Sequence, residues 1–143
     1  MISTNKGELY KMEVIEFENN KYPEALRNIK NPPKNIWVDG NIEILNQKSI
    51  AVVGSRHCTN YGRKWCEHFV KGLIEYNLVI TSGMAVGIDS IAHNSALKYN
   101  GKTIAVLPSG FNNIFPKENV RLYEQIKENG GAIISEYPPD EKH

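Results

Sequence analysis

The sequence predicts an α/β fold, with a doubly wound, mainly parallel sheet and helices on both faces. From residue 48 onward, short apolar runs rich in β-branched residues alternate with stretches of helical periodicity. This alternation implies parallel strands joined by right-handed crossovers. The runs are apolar throughout rather than alternating with polar residues, which is typical of a sheet that is covered on both sides.

The four predicted strands all end in small residues. The runs, including the residues in which they end, lie at 51–56, 79–83, 104–110 and 132–136. The carboxyl ends of parallel strands meet at one edge of a sheet, where helix N-termini and backbone N–H groups converge. We therefore expect a ligand site at this edge, and phosphate is the ligand that it favours.

Three helices are predicted between the strands, at residues 61–76, 90–99 and 119–129. The first has Trp65, Phe69 and Leu73 spaced four residues apart, which places them on one helix face. Glycines follow the second and third stretches, and glycine just after a periodic segment is a signal for a helix end.

The length of 143 residues predicts a single domain. Residues 1–47 contain turn signals at Tyr22-Pro23, Asn31-Pro32-Pro33 and Asp39-Gly40-Asn41, so we interpret them as an N-terminal lead-in extension. Residues 48–143 form the predicted α/β domain.

The composition excludes several classes of site. Lys and Arg total 17 and Asp and Glu total 16, so the net charge of +1 provides no overall field toward nucleic acid, and a polyanion must be held locally. Cys58 and Cys66 match neither a metal pair nor a redox pair, and the four histidines have no zinc spacing, so we expect no metal and no cofactor. No apolar run approaches the ~18 residues of a membrane span, so we expect no membrane partner and a cytoplasmic location.

Gly54-Ser55-Arg56 ends the first strand at the position where a dinucleotide-binding fold has its glycine-rich turn. The spacing is not G-x-G-x-x-G, because the next glycine is Gly62, so a nicotinamide dinucleotide is a poor fit. The Arg56 guanidinium beside free backbone donors can clamp a phosphate. The alternative is an exposed arginine that pairs with a carboxylate such as Glu136.

Ser82 and Gly83 end the second strand and begin a loop that reaches Gly87 and Asp89. The two glycines are suited to an anion-binding turn of backbone N–H groups. Asp89 lies at the predicted N-cap of a helix, and His93 follows one turn later. The pair fits an acid/base dyad or two structural hydrogen bonds, and we favour the structural role because no nucleophile or metal cluster accompanies it.

Gly110 and Phe111 follow the third strand. An aromatic ring at a ligand edge can stack on a base, and the alternative for Phe111 is packing in the core of its loop. Lys117 and Arg121 near the start of the last helix can extend the phosphate contacts that begin at Arg56.

These segments together resemble the DprA/Smf family of DNA-processing proteins, from about Tyr22 to Pro139 and in the family's order. The segments that carry the resemblance are Tyr22-Pro23, Asn31-Pro32-Pro33, Val53-Gly54-Ser55-Arg56, Tyr61-Gly62-Arg63, Ser82-Gly83-Met84-Ala85-Val86-Gly87-Ile88-Asp89, Ala92-His93, Gly101-Lys102-Thr103-Ile104-Ala105-Val106-Leu107, Gly110, Phe115-Pro116-Lys117-Glu118-Asn119, Gly130-Gly131 and Ser135-Glu136-Tyr137-Pro138-Pro139.

The resemblance implies a Rossmann-like fold and a protein without catalytic activity that binds incoming single-stranded DNA in natural transformation and helps to load the RecA recombinase onto it. It also implies a homodimer. The family pattern continues with an F-x-x-R-N-R-I-I stretch that this chain lacks, so we expect the chain to be the N-terminal part of the family's domain, without the surfaces for RecA and dimerisation. The resemblance assigns the DNA site to Gly54, Ser55, Arg56, Ser82, Gly83, Gly110, Phe111 and Lys117, with Arg56 and Lys117 on phosphates and Phe111 on a base.

Two other functions stay open at this stage. One is a nucleotide-hydrolysing enzyme of the lysine-decarboxylase-like phosphoribohydrolase group, whose P-G-G-x-G-T-x-x-E run is only approached by Pro108-Ser109-Gly110-Phe111. The other is a sensor that binds a free nucleotide at the same edge without turnover.

Overall fold

The structure is a computed structural model that describes residues 12–114 and 116–142. Residues 1–11 of the predicted lead-in, Phe115 and His143 lie outside the described residues. The strands are β1 (Glu13–Glu16), β2 (Asn35–Gly40), β3 (Ser49–Ala51), β4 (Val79–Ser82), β5 (Thr103–Leu107) and β6 (Ala132–Ser135). The helices are α1 (Glu24–Arg27), α2 (Asn60–Glu75), α3 (Ile88–Lys98) and α4 (Glu118–Glu128), and Ile42–Asn46 form a 3-10 helix.

The strands form one sheet in the order β1-β2-β6-β5-β4-β3. Strands β3 to β6 are parallel and lie in chain order, which confirms the predicted mainly parallel α/β fold. Strands β1 and β2 come from the predicted lead-in and join the sheet by antiparallel pairing, with Val38 of β2 opposite Ile134 of β6. The lead-in is therefore part of the same sheet.

One face of the sheet is covered by α2, α3 and α4. Ile80 packs against α2 and α3, while Ala105 and Ile133 pack against α4. All three helices share this face because strands in chain order, joined by right-handed crossovers, return each helix to the same side.

The lead-in covers the opposite face of the sheet. Its Tyr22 and Ile44 are fully buried against Val79, Ile104 and Ala132. The short α1 and the 3-10 helix belong to this layer, so helices lie on both faces, with the long ones on one side.

Local signals define the helix ends. The Thr59 hydroxyl accepts a hydrogen bond from the Gly62 N–H at 3.0 Å and caps α2. Beyond α4, Gly130 has a φ of +78°, the left-handed conformation that glycine adopts readily after a helix. No helix in the described ranges has the length and apolar character needed to cross a membrane.

Candidate functional site

A cavity of about 680 Å³ lies at the carboxyl ends of β4 and β5, at the sheet edge that the sequence predicts as a ligand site. It is formed by the loops after β3, β4 and β5, by the start of α4 and by the C-terminal segment. Its apolar surface comes mainly from Met84, Val86, Leu107, Pro108 and Ile114. Its polar and charged side chains are Arg56, Ser109, Asn113, Asn119 and Lys142.

The loop after β4 is held in an unusual backbone conformation. Met84 has a φ of +59°, and its carbonyl accepts a hydrogen bond from the Asn119 side-chain amide at 2.6 Å. Gly87 has a φ of +91°, and a Cβ there would lie 2.2 Å from the Ser55 carbonyl oxygen. The loop is thus fixed between α4 and the turn after β3, and only glycine allows that approach.

Asp89 connects the two glycine-containing turns. Its carboxylate accepts hydrogen bonds from the Gly54 N–H at 3.4 Å and from the Gly83 N–H at 3.2 Å. The residue is buried in the first turn of α3, where the helix dipole favours a negative charge. The prediction that Asp89 is the N-cap is wrong, because α3 begins at Ile88 and its N-cap is Gly87. Two backbone donors expected to bind phosphate are therefore bonded to a carboxylate of the chain.

His93 is buried and makes a different contact. Its Nδ1 lies 2.7 Å from the Thr103 hydroxyl, which donates to the Ile80 carbonyl at 2.7 Å. Because the Thr103 proton is used in that bond, Nδ1 carries the imidazole proton and donates it. Burial lowers the pKa of His93 to about 4, so the ring is neutral at pH 7. Within the described residues His93 has no hydrogen bond to Asp89, so the pair does not form a dyad.

Arg56 is the cation at the turn after β3, and its side chain is exposed at the cavity. Ser55 orients this turn, because its hydroxyl accepts a hydrogen bond from the His57 N–H at 3.0 Å. Among the described residues, ion pairs join Arg27 to Glu24, Lys98 to Glu67 and Lys127 to Asp39. Arg56 is therefore not paired with Glu136, and its guanidinium is available to a ligand.

Three predicted site residues support the rim of the cavity without facing it. Ser82 is buried, and its hydroxyl donates to the Val52 carbonyl at 2.6 Å. Gly110 allows the C-terminal segment to approach, since a Cβ there would lie 2.0 Å from the Pro138 oxygen. Phe111 is only 6% exposed, and its ring packs 6.1 Å from that of Tyr123, centroid to centroid. Phe111 is therefore packed as the alternative describes, and its stacking on a base stays a prediction.

The last predicted phosphate contact, Lys117, is exposed at the N-cap of α4, beside the cavity-lining Pro116. A second cavity of about 510 Å³ shares Pro116 and Asn119 with the first and extends past Arg121. The positive charges near the cavities therefore extend from the turn after β3 to the first turns of α4.

Lys142 and Asn113 are site residues that the sequence reasoning missed. The Gly110 N–H donates to the Glu141 carbonyl at 2.9 Å, and the Asn113 side-chain amide donates to the same carbonyl at 3.2 Å. These bonds hold the C-terminal segment against the loop after β5 and bring Lys142 to the cavity. The sequence signal that could have indicated this contact is Gly110, because its missing side chain makes room for the C-terminal segment.

The residues described by the structure include no cluster of three or more His, Cys, Asp or Glu side chains that could hold a metal ion. Among the described residues that line the first cavity, the charged side chains are Arg56 and Lys142.

Comparisons with known proteins agree with the resemblance in the motifs. The family described as DNA recombination-mediator protein A matches residues 13–143. Protein Smf of Escherichia coli is 40% identical over 127 residues, which cover 89% of this chain and 34% of that protein. The DNA processing protein DprA of Streptococcus pneumoniae is 44% identical over 121 residues, covering 85% of this chain and 42% of that protein. The chain thus spans less than half the length of these curated relatives.

Solved structures of similar proteins have the same fold. The DprA structure from Streptococcus pneumoniae superposes with a TM-score of 0.84 at 40% identity, over 92% of this chain and 46% of that one. A DNA processing protein A from Helicobacter pylori, whose structure is described in terms of its single-stranded DNA binding mode, gives a TM-score of 0.79 at 30% identity, over 93% of this chain and 59% of that one. Given the family match over nearly all of its residues, this chain belongs to the DNA recombination-mediator protein A family, the family of DprA and Smf.

Proposed function

We propose that this chain binds single-stranded DNA at the cavity after β4 and β5, without catalysing a reaction on it, in DNA uptake and recombination. The observation that carries the proposal is the Arg56 guanidinium, which is exposed at a cavity and makes no ion pair within the described residues. The chain also belongs to the DNA recombination-mediator protein A family. The single-stranded DNA binding mode described for the Helicobacter pylori relative supports the choice of ligand.

The chemistry of the cavity suits a single strand. Arg56 and Lys142 are long cations that can each contact a phosphate, and Lys117 and Arg121 continue the positive charge beside them. Val86 is 53% exposed and offers an apolar surface to an unstacked base, in the place of the buried Phe111.

The proposed absence of catalysis rests on the two groups most suited to proton transfer. Both oxygens of Asp89 accept backbone hydrogen bonds, and His93 is buried outside the cavity lining. Neither group can reach a ligand at the sheet edge without breaking these contacts.

The test is fluorescence anisotropy of a labelled oligo-dT with the purified chain at several salt concentrations. Two phosphate contacts give a slope of log K against log salt of about −1.4, and four give about −2.8. Binding with a slope in this range, displaced by unlabelled single strands better than by duplex DNA, supports the proposal. Displacement by a nucleoside monophosphate at lower concentration than by a single strand would favour the nucleotide-binding alternative, and release of free base would favour the phosphoribohydrolase.

We propose by the same resemblance that the chain acts in the cytoplasm in natural transformation, with RecA as a partner and with a second copy of itself. Because it spans less than half of the curated relatives, RecA binding needs its own measurement. Capture of RecA on oligo-dT coated with this chain, compared with oligo-dT alone, provides that measurement.

A further inference from the structure

The second cavity lies between α3 and α4 and is lined by two pairs of polar side chains. Ser90 and Asn94 come from α3, and Arg121 and Gln125 come from α4. The residues of each pair are four positions apart, so they lie on the same face of their helix. Val86 adds an apolar surface between the pairs. A few polar groups that converge on an apolar surface are typical of a site for a small ligand or for part of a larger one.

The side of the cavity formed by α3 presents hydrogen-bond acceptors. The Ser90 hydroxyl donates to the Ala85 carbonyl at 2.6 Å, which leaves its oxygen as an acceptor. The Asn94 side-chain NH₂ group donates to the Ser90 carbonyl at 2.9 Å. Because this bond turns the NH₂ group toward the helix backbone, the Oδ1 atom of Asn94 is left to accept a hydrogen bond from a ligand.

The side formed by α4 presents donors. Arg121 is exposed, and the ion pairs among the described residues do not include it. Its guanidinium carries five N–H donors and no acceptor, so it can bind a ligand and still add to the positive charge beside the first cavity. Gln125 is half-buried one turn later, and its amide can add a further donor.

Guanine is the DNA base that matches acceptors on one side and donors on the other. Its O6 and N7 atoms are adjacent acceptors on one edge, and an arginine fork binds the two together. Its N1–H and 2-amino groups are adjacent donors on another edge, which suits the oxygens on α3. Adenine has an amino group where guanine has O6, and the pyrimidines have no N7.

Two further observations favour a base of a single strand in this cavity. Glu118 also lines it, and a carboxylate repels a phosphate but can accept hydrogen bonds from an amino group. The cavity shares Val86, Pro116 and Asn119 with the first cavity. A strand whose phosphate contacts Arg56 can therefore turn a neighbouring base toward α3 and α4.

We propose that the second cavity is a guanine-binding subsite of the DNA site, in which Arg121 selects the base through O6 and N7. The proposal rests on the proposed binding of single-stranded DNA. It goes beyond that function because contacts to phosphates do not distinguish one base from another. The chain is then expected to prefer strands that contain guanine.

The test compares labelled oligo-dT with a strand of the same length in which one central thymine is replaced by guanine. Fluorescence anisotropy with the full chain, at one salt concentration, gives both affinities. We expect the guanine strand to bind about tenfold more tightly. A strand with 7-deazaguanine, in which carbon replaces N7, should lose most of this gain. Adenine or cytosine at the same position should give the affinity of oligo-dT.

The ratio of the two affinities is also the measurement for the variants. Arg121→Lys keeps the charge and removes the planar fork, so the ratio should fall to about one while the unfolding midpoint stays unchanged. Asn94→Ala should lower the ratio as well, because it removes an acceptor. Arg63→Lys makes the same exchange at an exposed arginine of α2 and should leave the ratio unchanged.

The outcomes separate this proposal from the binding of DNA as such. Equal affinities for the thymine and guanine strands overturn it and leave the DNA site intact, as does a preference that persists in Arg121→Lys. An equal gain with cytosine overturns the assignment to guanine. Displacement of the guanine strand by guanosine monophosphate at a lower concentration than by the unlabelled strand overturns it in favour of a free nucleotide. Absence of binding to every strand overturns the proposed function and this subsite together.

Discussion

Replacing Asp89 by asparagine tests whether an internal carboxylate holds the two glycine turns together. The wild-type carboxylate accepts hydrogen bonds of 3.4 Å from Gly54 and 3.2 Å from Gly83 while it is buried. Hydrogen bonds to a charged group contribute roughly 1.5 to 3 kcal/mol each, and lengths above 3 Å place these near the lower limit. An asparagine retains one acceptor oxygen and turns an NH₂ group toward the other donor. We expect the free energy of unfolding to fall by about 2 to 3 kcal/mol.

Urea denaturation monitored by tryptophan fluorescence measures this loss. With an m-value of about 1.5 kcal/mol/M, the midpoint should move down by roughly 1.3 to 2 M. Asp140→Asn is the matched control, because Asp140 accepts its hydrogen bond from Asn112 on the exposed surface, where the change should stay below about 0.5 kcal/mol. If Asp89→Asn shifts the midpoint no more than Asp140→Asn does, the carboxylate does not hold the turns.

Three further results are expected. Arg56→Ala should weaken oligo-dT binding by about 1 to 3 kcal/mol, whereas Lys30→Ala, which removes an exposed lysine of the lead-in, should not; equal losses in anisotropy would show a nonspecific charge effect. Phe111→Ala should reduce the free energy of unfolding by about 3 to 5 kcal/mol, because it leaves a cavity in the core beside Tyr123. A variant with unchanged stability and weakened DNA binding would instead support stacking of Phe111 on a base. His93 has a pKa of about 4 in the folded chain, below its ordinary 6.5, so protons bind the unfolded state preferentially and stability falls as the pH drops from 6.5 toward 4. At pH 5 this loss is about 2 kcal/mol. If the urea midpoint of His93→Gln falls with decreasing pH as much as the midpoint of the wild type does, groups other than His93 cause the pH dependence.

The sequence was most informative where structure is set locally. The runs predicted at 79–83 and 104–110 correspond to β4 (Val79–Ser82) and β5 (Thr103–Leu107), and the crossover helices lie close to the predicted ranges. Their pattern depends on residues that are near in the chain, and two-sided burial makes the strands apolar throughout. The antiparallel pairing of β2 with β6 joins segments about a hundred residues apart, and turn signals in the lead-in carry no information about it.

The site was harder to predict than the fold because its composition depends on contacts between distant loops. Arg56 was predicted from its place just after the first apolar run, and the structure has it in the lining of the cavity. Lys142 was missed because it reaches the cavity only through the bonds of Glu141 to Gly110 and Asn113. The depth of Phe111 likewise depends on where α4 packs, which the residues after β5 do not encode alone.

The position of Asp89 bears on which ligand the sheet edge can take. In a dinucleotide-binding fold, backbone N–H groups of the glycine-rich turn bind phosphate directly and fix a single nucleotide in place. Here the N–H groups of Gly54 and Gly83 donate to the Asp89 carboxylate, so these donors are not open to a ligand. In the proposed complex, phosphate contacts come from long side chains spread along this edge, with Arg56 and Lys142 at the first cavity and Lys117 and Arg121 beside it. This arrangement favours an extended strand over turnover of a nucleotide, and a nucleoside monophosphate that competes with oligo-dT at equal concentration would contradict it.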